Sequence, residues 1–139
     1  MHRIKLKGPW EFQPLPEFPA DCAAKVPDRG TVKFPAAWQD FLGDFRGQTR
    51  FLRQFNRPTN LEVHERVDLV LDGVGGHAVI RLNQQAVGEI AAAAGTGRFD
   101  ITALLRPHNL LEIDVEWTGQ STGPGGLWAP VALEIEATS

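Results

Sequence analysis

Three carboxylates at two-residue spacing, Glu112, Asp114 and Glu116, form the most closely spaced acidic trio in the chain. On an extended strand, residues two apart share a face and lie about 7 Å from each other. That separation falls within the roughly 5–9.5 Å that two carboxyl groups need to flank a glycosidic bond. Flanking requires a cleft, and successive residues on one sheet face do not enclose one. A solvated face fits better, with a calcium site as the lesser alternative, since hard cations need several converging oxygens. Arg53, Arg66 and Arg81 are expected to offset this charge across strands, each pair weakly because it is exposed. No catalytic residue is assigned.

Four tryptophans and no tyrosine supply the other chemistry. An indole can stack on the apolar C–H face of a sugar while nearby amides and carboxylates take its hydroxyls. Trp10 and Trp117 alternate with apolar residues and are expected in the core. Trp38 stands beside Gln39 and Asp40, near Asp44, in a loop over 36–45. Trp128 follows the stretch Thr118–Gly126, which carries Gln120, Ser121 and Thr122. Trp38, Gln39, Asp40, Gln120 and Trp128 are therefore the candidate ligand-binding residues, although loop packing remains open for both tryptophans.

The remaining reactive types offer less. His2, His64, His77 and His108 show none of the short spacings of a zinc site, so no metal is expected. His77, between Gly76 and Ala78, reads as a turn residue at a strand start, with hydroxyl binding as the alternative. Cys22 is the single cysteine and permits no internal disulfide. Gly75-Gly76 and Gly123-Pro124-Gly125-Gly126 precede no helix whose N-terminus could hold a phosphate. Gly95-Thr96-Gly97 reads as a mobile loop tip. No Ser-His-Asp arrangement can be assigned from order alone, and no cofactor is implied.

These residues must be positioned by strands. A chain of 139 residues fits one domain over 1–139, able to bury a core of its own. It is too short for an eight-stranded α/β barrel, which takes about 200–250 residues. A net charge of −3 with scattered Arg and Lys excludes the concentrated basic face that nucleic acid requires. His2, Arg3, Lys5 and Lys7 interrupt any signal-peptide core, and the apolar run Ile90–Ala94 is far below the roughly 18 residues of a membrane span. If the chain is complete, a cytoplasmic location is expected.

From Leu15 to Phe45, prolines and glycines predict short edge strands joined by loops. From Arg50 onward period-2 alternation predicts strands. Phe51, Arg53 and Phe55 share one face, Val67, Leu69 and Leu71 another, and Ala78, Ile80 and Leu82 a third. In 110–117, Leu111, Ile113, Val115 and Trp117 point in, with the carboxylate trio out. In 131–136, Val131, Leu133 and Ile135 point in, with Glu134 and Glu136 out. Polar outer faces imply antiparallel sheets covering a core on one side. Only Ile101–Leu105 suggests a helical turn, after Asp100 as a cap. The expected class is an all-β sandwich.

Several phrases, in order, resemble the N-terminal sugar-binding domain of glycoside hydrolase family 2, the family of β-galactosidases, β-glucuronidases and β-mannosidases. They are Gly8-Pro9-Trp10-Glu11-Phe12, Phe34-Pro35-Ala36-Ala37-Trp38, Phe51-Leu52-Arg53-Gln54-Phe55, and Val67-Asp68-Leu69-Val70-Leu71-Asp72-Gly73-Val74. Ala78-Val79-Ile80-Arg81-Leu82-Asn83 with Val87-Gly88, Phe99-Asp100-Ile101-Thr102 with Leu104-Leu105, Asn109-Leu110-Leu111, and Gly126-Leu127-Trp128 with Val131 and Leu133-Glu134 complete the set. The resemblance implies a jelly-roll β-sandwich of the galactose-binding type. In that family the loops corresponding to Trp38 and Trp128 border the sugar pocket of a neighbouring catalytic barrel, and the position of Trp128 often closes the sandwich end. The family's catalytic glutamates lie on that barrel, and no residue here matches them. The family's hairpin carries Asn-Gly where this chain has Asn83-Gln84, which predicts a longer turn or one of another type.

The expected function is thus non-catalytic carbohydrate binding through loops at one end of a sandwich, with a glycan as partner. The alternatives are a structural or protein-interaction module, and a fragment of a larger glycoside hydrolase that contacts its catalytic domain. A sandwich glycosidase would require two carboxylates facing each other across a pocket.

Overall fold

The computed structural model describes residues 2–7, 10–15, 30–33, 47–58, 61, 64–91, 94–117 and 126–137. Within them the chain forms β1 (His2–Lys5), β2 (Trp10–Leu15), β3 (Gly30–Val32), β4 (Gly47–Asn56) and β5 (Glu65–Leu71). There follow β6 (His77–Leu82), β7 (Gln85–Ile90), β8 (Gly97–Asp100), a 3-10 turn at Thr102–Leu104, β9 (His108–Trp117) and β10 (Val131–Ala137). A four-stranded sheet, β1-β10-β5-β8, faces a six-stranded one, β3-β2-β4-β9-β6-β7. Every pairing is antiparallel. From β4 onward each connection except the β6–β7 hairpin passes from one sheet to the other, the winding of a jelly roll.

The alternating patterns select the inner faces as expected. Phe51, Ile80, Leu82, Leu111, Ile113 and Val115 from one sheet meet Val67, Leu69, Leu71, Val131 and Leu133 from the other, all of them buried. Trp10 and Trp117 are core residues, and the Trp10 indole Nε1 donates to the Leu6 carbonyl at 2.7 Å. On one side the corner is shut by Phe99. It packs so closely on Gly88 and Gly97 that a Cβ at either would lie 2.5 or 2.9 Å from the ring. Gly97 is therefore the first residue of β8 rather than part of a loop tip.

The outer face of the four-stranded sheet departs from the sequence expectation. Asp68, Val70, Ala132 and Glu134 point outward, yet each is buried. The cause is arginine. Arg98 Nη1 reaches Asp68 at 2.8 Å and Arg66 Nε reaches Asp68 at 3.1 Å, while Arg3 and Arg98 both clasp Glu134. The guanidinium side chains of Arg3 and Arg98 from the two edge strands, together with Arg66 of β5 itself, lie across the two central strands and shield them from water. The Arg98 contact, foremost, holds the Glu134 carboxyl below its ordinary range.

Three local expectations are also corrected. The β6–β7 hairpin closes through only two residues, Asn83 and Gln84, with φ of 53° and 69°. Asparagine tolerates this left-handed region, and its side chain is fixed there. Asn83 Nδ2 donates to the Leu104 carbonyl at 3.1 Å, and its Oδ1 accepts from Leu110 N–H at 2.9 Å. The strand arginines also differ. Arg50, not Arg53, is paired with the carboxylate trio, because period 2 places Arg53 inward with Phe51 and Phe55. Arg66 serves the other sheet, and only Arg81 of the three reaches the trio, 3.6 Å from Asp114. Before the 3-10 turn, the Asp100 carboxylate accepts from Thr102 Oγ1 at 2.6 Å and Thr102 N–H at 2.9 Å. The cap position of the turn is Ile101, which makes no side-chain cap hydrogen bond, so Asp100 stands one residue before the cap expected of it and binds Thr102 locally instead.

Candidate functional site

One end of the sandwich collects three inter-sheet connections, β5–β6, β7–β8 and β9–β10. Their main chains are stitched together. Gly75 and Gly126 exchange hydrogen bonds of 2.8 and 2.9 Å, Asp72 N–H reaches the Pro130 carbonyl at 3.1 Å, and Val74 N–H reaches the Gly95 carbonyl at 2.7 Å. Glycine is required at one point in this knot. Gly76 has φ of 112°, and a Cβ there would lie 2.2 Å from the Glu116 carbonyl oxygen.

Trp128 is mounted on this scaffold. Its neighbours Leu127 and Ala129 are buried, which turns the indole away from the core. Its six-membered ring crosses Gly73, where a Cβ would lie 2.7 Å from Cε2 and Cζ2. The residue is still 41% exposed, and it is the exposed large hydrophobic side chain among the described residues. Trp128 therefore combines the two roles weighed for it: one part braces the sandwich end, the rest faces solvent. Gly73 was missed as part of the site; its place in the run Leu71-Asp72-Gly73-Val74 gives no sign of the indole packed over it.

Trp38, Gln39, Asp40 and Gln120 lie outside the described residues. Their chain anchors are described. The segment carrying Gln120 leaves from Trp117 and returns at Gly126, and the segment carrying Trp38, Gln39 and Asp40 leads into Gly47. Gly47 is the register partner of Trp117. His77 opens β6 at the same end, as expected of it, with Nε2 3.3 Å from Glu89 Oε2.

The carboxylate trio lies elsewhere, on the outer face of the six-stranded sheet, and it is less solvated than expected: Glu116 is exposed, but the Glu112 and Asp114 side chains are only 17% and 14% exposed. Arg50 grips Asp114 side-on, with Nε–Oδ1 at 2.9 Å and Nη2–Oδ2 at 3.1 Å, and sits 4.0 Å from Glu112. This hydrogen bonding raises the Arg50 pKa further above its ordinary value. A flat, arginine-laced row does not place two carboxyl groups on either side of a bond. Among the described residues no three of His, Cys, Asp and Glu stand together as a metal-binding group.

Residues 46–122, more than half of the chain, match the family described as glycosyl hydrolase 2 galactose-binding domain-like. The chain belongs to that family. The fold of this galactose-binding-like domain recurs in solved structures. A Bacteroides uniformis β-glucuronidase matches with a TM-score of 0.71 at 24% identity, over 95% of this chain and 17% of that one. An FMN-binding β-glucuronidase from Facaelibacterium prausnitzii L2-6 matches at 0.75 and 23%, over 96% and 22%. A Bifidobacterium dentium β-glucuronidase, solved with coumarin-3-O-glucuronide, matches at 0.76 and 22%, over 99% and 30%. The galactose-binding-like domain thus spans 17–30% of the length of these three enzymes. No curated protein sequence matches it.

Proposed function

We propose that this galactose-binding-like domain recognises carbohydrate at its Trp128 end and performs no bond cleavage of its own. The observation that carries the reading is the Trp128 indole, half seated on Gly73 and 41% exposed on a frame of cross-linked backbone. A rigid aromatic plane loses little entropy on stacking against a sugar ring. Trp38 would supply a second stacking face, with Gln39, Asp40 and Gln120 exchanging hydrogen bonds with hydroxyls. Binding would be reversible and independent of metal. With one or two stacking contacts the dissociation constant should fall between about 10 μM and 1 mM.

The test is a glycan array on the purified domain, followed by calorimetric titration of the best ligand into the wild type, Trp128→Ala and Trp38→Ala. Loss of most affinity in both variants, with unchanged circular dichroism, is expected. Full affinity in both would remove the site.

A second reading has its own support, the 17–30% share of the enzyme chains that the domain matches. On that reading the domain is one part of a longer glycoside hydrolase, and the Trp128 end helps line the pocket of an adjoining catalytic domain. The isolated domain would then bind no glycan, while Trp128→Ala in the longer enzyme would raise KM.

A further inference from the structure

We propose a second site, for a small oxyanion-bearing ligand, in the groove where β1 crosses the C-terminal end of β4. It does not rest on the Trp128 reading. Two adjoining clefts of about 350 and 290 Å³ share Gln54, Phe55 and Asn56. Arg53 and Lys5 line the first, and His108 lines the second. Among the described residues, neither cleft has an Asp or Glu in its wall. That is unusual in a chain whose 17 acidic residues outnumber its 14 Lys and Arg.

Arg53 is the exception among the strand arginines. Arg3, Arg50, Arg66, Arg81 and Arg98 each have a carboxylate partner. Arg53 has none among the described residues. Its Nη1 donates to the Gln54 carbonyl, while Nε is buried without an acceptor. Period 2 explains the difference, since Arg53 shares the inward face with Phe51 and Phe55, away from the carboxylates that pair with Arg50 and Arg81. Glu11 lines a separate hollow that also touches Arg53 and Gln54, with no ion pair to the guanidinium. A partly desolvated cation without a counter-charge is costly, and an oxyanion entering the groove would relieve that cost. The guanidinium fork suits the paired oxygens of a carboxylate or sulfate.

The polar surroundings suit a small hydroxylated body behind the charge. Gln54 and Asn56 offer amides. Asn56 Oδ1 lies 2.9 Å from His108 Nδ1, which orients the imidazole along the wall. The volumes are at the lower end of those of small-molecule sites. The inferred ligand is therefore a sugar-sized molecule bearing one carboxylate or sulfate, with Arg53 as its charge partner and Lys5 as a long-range attractor.

The experiment is an amide and Arg Nε NMR titration of the domain at low ionic strength with galacturonate, galactose 6-sulfate and neutral galactose. Both anions should shift Gln54, Asn56 and the Arg53 Nε resonance, and galactose should not. The stronger of the two anionic arms identifies which oxyanion the groove prefers. Arg53→Gln should weaken anion binding about tenfold or more, the worth of a charged hydrogen bond. Arg53→Lys should recover part of it, and Trp128→Ala should leave it unchanged. Equal shifts with galactose, or full anion affinity in a folded Arg53→Gln, would overturn the proposal. Loss of glycan binding in Trp128→Ala with anion binding intact would bear on the Trp128 end alone.

Discussion

The Trp128 end and the opposite end, where the β6–β7 hairpin meets the start of β9, solve the same problem by different means. Both must hold irregular backbone without leaving polar groups bare. The Trp128 end does so with glycines, whose main chains approach closely and bond to one another. The hairpin end does so with side-chain amides. Asn109 is 3% exposed and complete in its hydrogen bonds: Nδ2 donates to the carbonyls of Phe55 and Arg106, and Oδ1 accepts from Arg106 N–H and Asn83 Nδ2. Backbone knots leave room above them for a large exposed ring. Amide networks fill their own space and rigidify the wall of a polar groove. The end tied by main chain thus presents an aromatic ring to solvent, whereas the end tied by side-chain amides presents a polar groove.

Five substitutions and a pH titration test this contrast. The largest effect is expected at Gly76→Ala. Left-handed strain and a 2.2 Å approach to a carbonyl oxygen cannot both be relieved, so a loss of about 3 kcal/mol or more is predicted in urea unfolding. Asn109→Ala should follow at about 2–3 kcal/mol, because it strands buried donors and acceptors at the hairpin end. Gly73→Ala should cost about 1–3 kcal/mol by displacing the indole. It should also weaken glycan binding, with no effect at the Arg53 groove.

The pH response should be smaller and should come from Asp100 beside the 3-10 turn and from Glu134 in the middle of the four-stranded sheet. Hydrogen bonds from Thr102 hold the Asp100 carboxyl below its ordinary value, as the arginines do for Glu134. A carboxyl depressed in the folded state favours folding above its unfolded pKa, near 4. That contribution fades as pH falls through the depressed folded values. Thermal midpoints should therefore drop on acidification below about pH 4, with Asp100→Asn flattening the drop. The smallest effect should be a gain. Gln84 is exposed at φ of 69°, so Gln84→Gly should add about 0.5 kcal/mol in the same unfolding experiment.

Much of the sandwich was legible because its inner faces alternate cleanly. Leu111, Ile113, Val115 and Trp117 needed only their spacing to be placed. β1 was not legible: His2, Arg3 and Lys5 carry no strand signal, and the segment takes its register from β10. The burial of Val70 and Ala132 was hidden because it depends on arginines brought over from other strands. The Asn83-Gln84 turn was misread because the side-chain contacts that hold Asn83 come from Leu104, Asn109 and Leu110, beyond the hairpin. At the candidate site the type of Trp128 was legible, whereas its exposure and its seat on Gly73 were not. The inward direction of Arg53 was readable from Phe51 and Phe55. That it has no carboxylate partner among the described residues was not, since strand ion pairs such as Arg50–Asp114 join residues 64 apart in sequence.

Carbohydrate recognition at the end built from glycines is tested most directly by residue-resolved titration. The best ligand from the array would be added to labelled wild type and Trp128→Ala while amide shifts are followed. The account predicts saturable shifts confined to residues 38–40, 72–76, 94–96 and 118–130, abolished in the variant. Shifts that map elsewhere, or persist undiminished in Trp128→Ala, would contradict it.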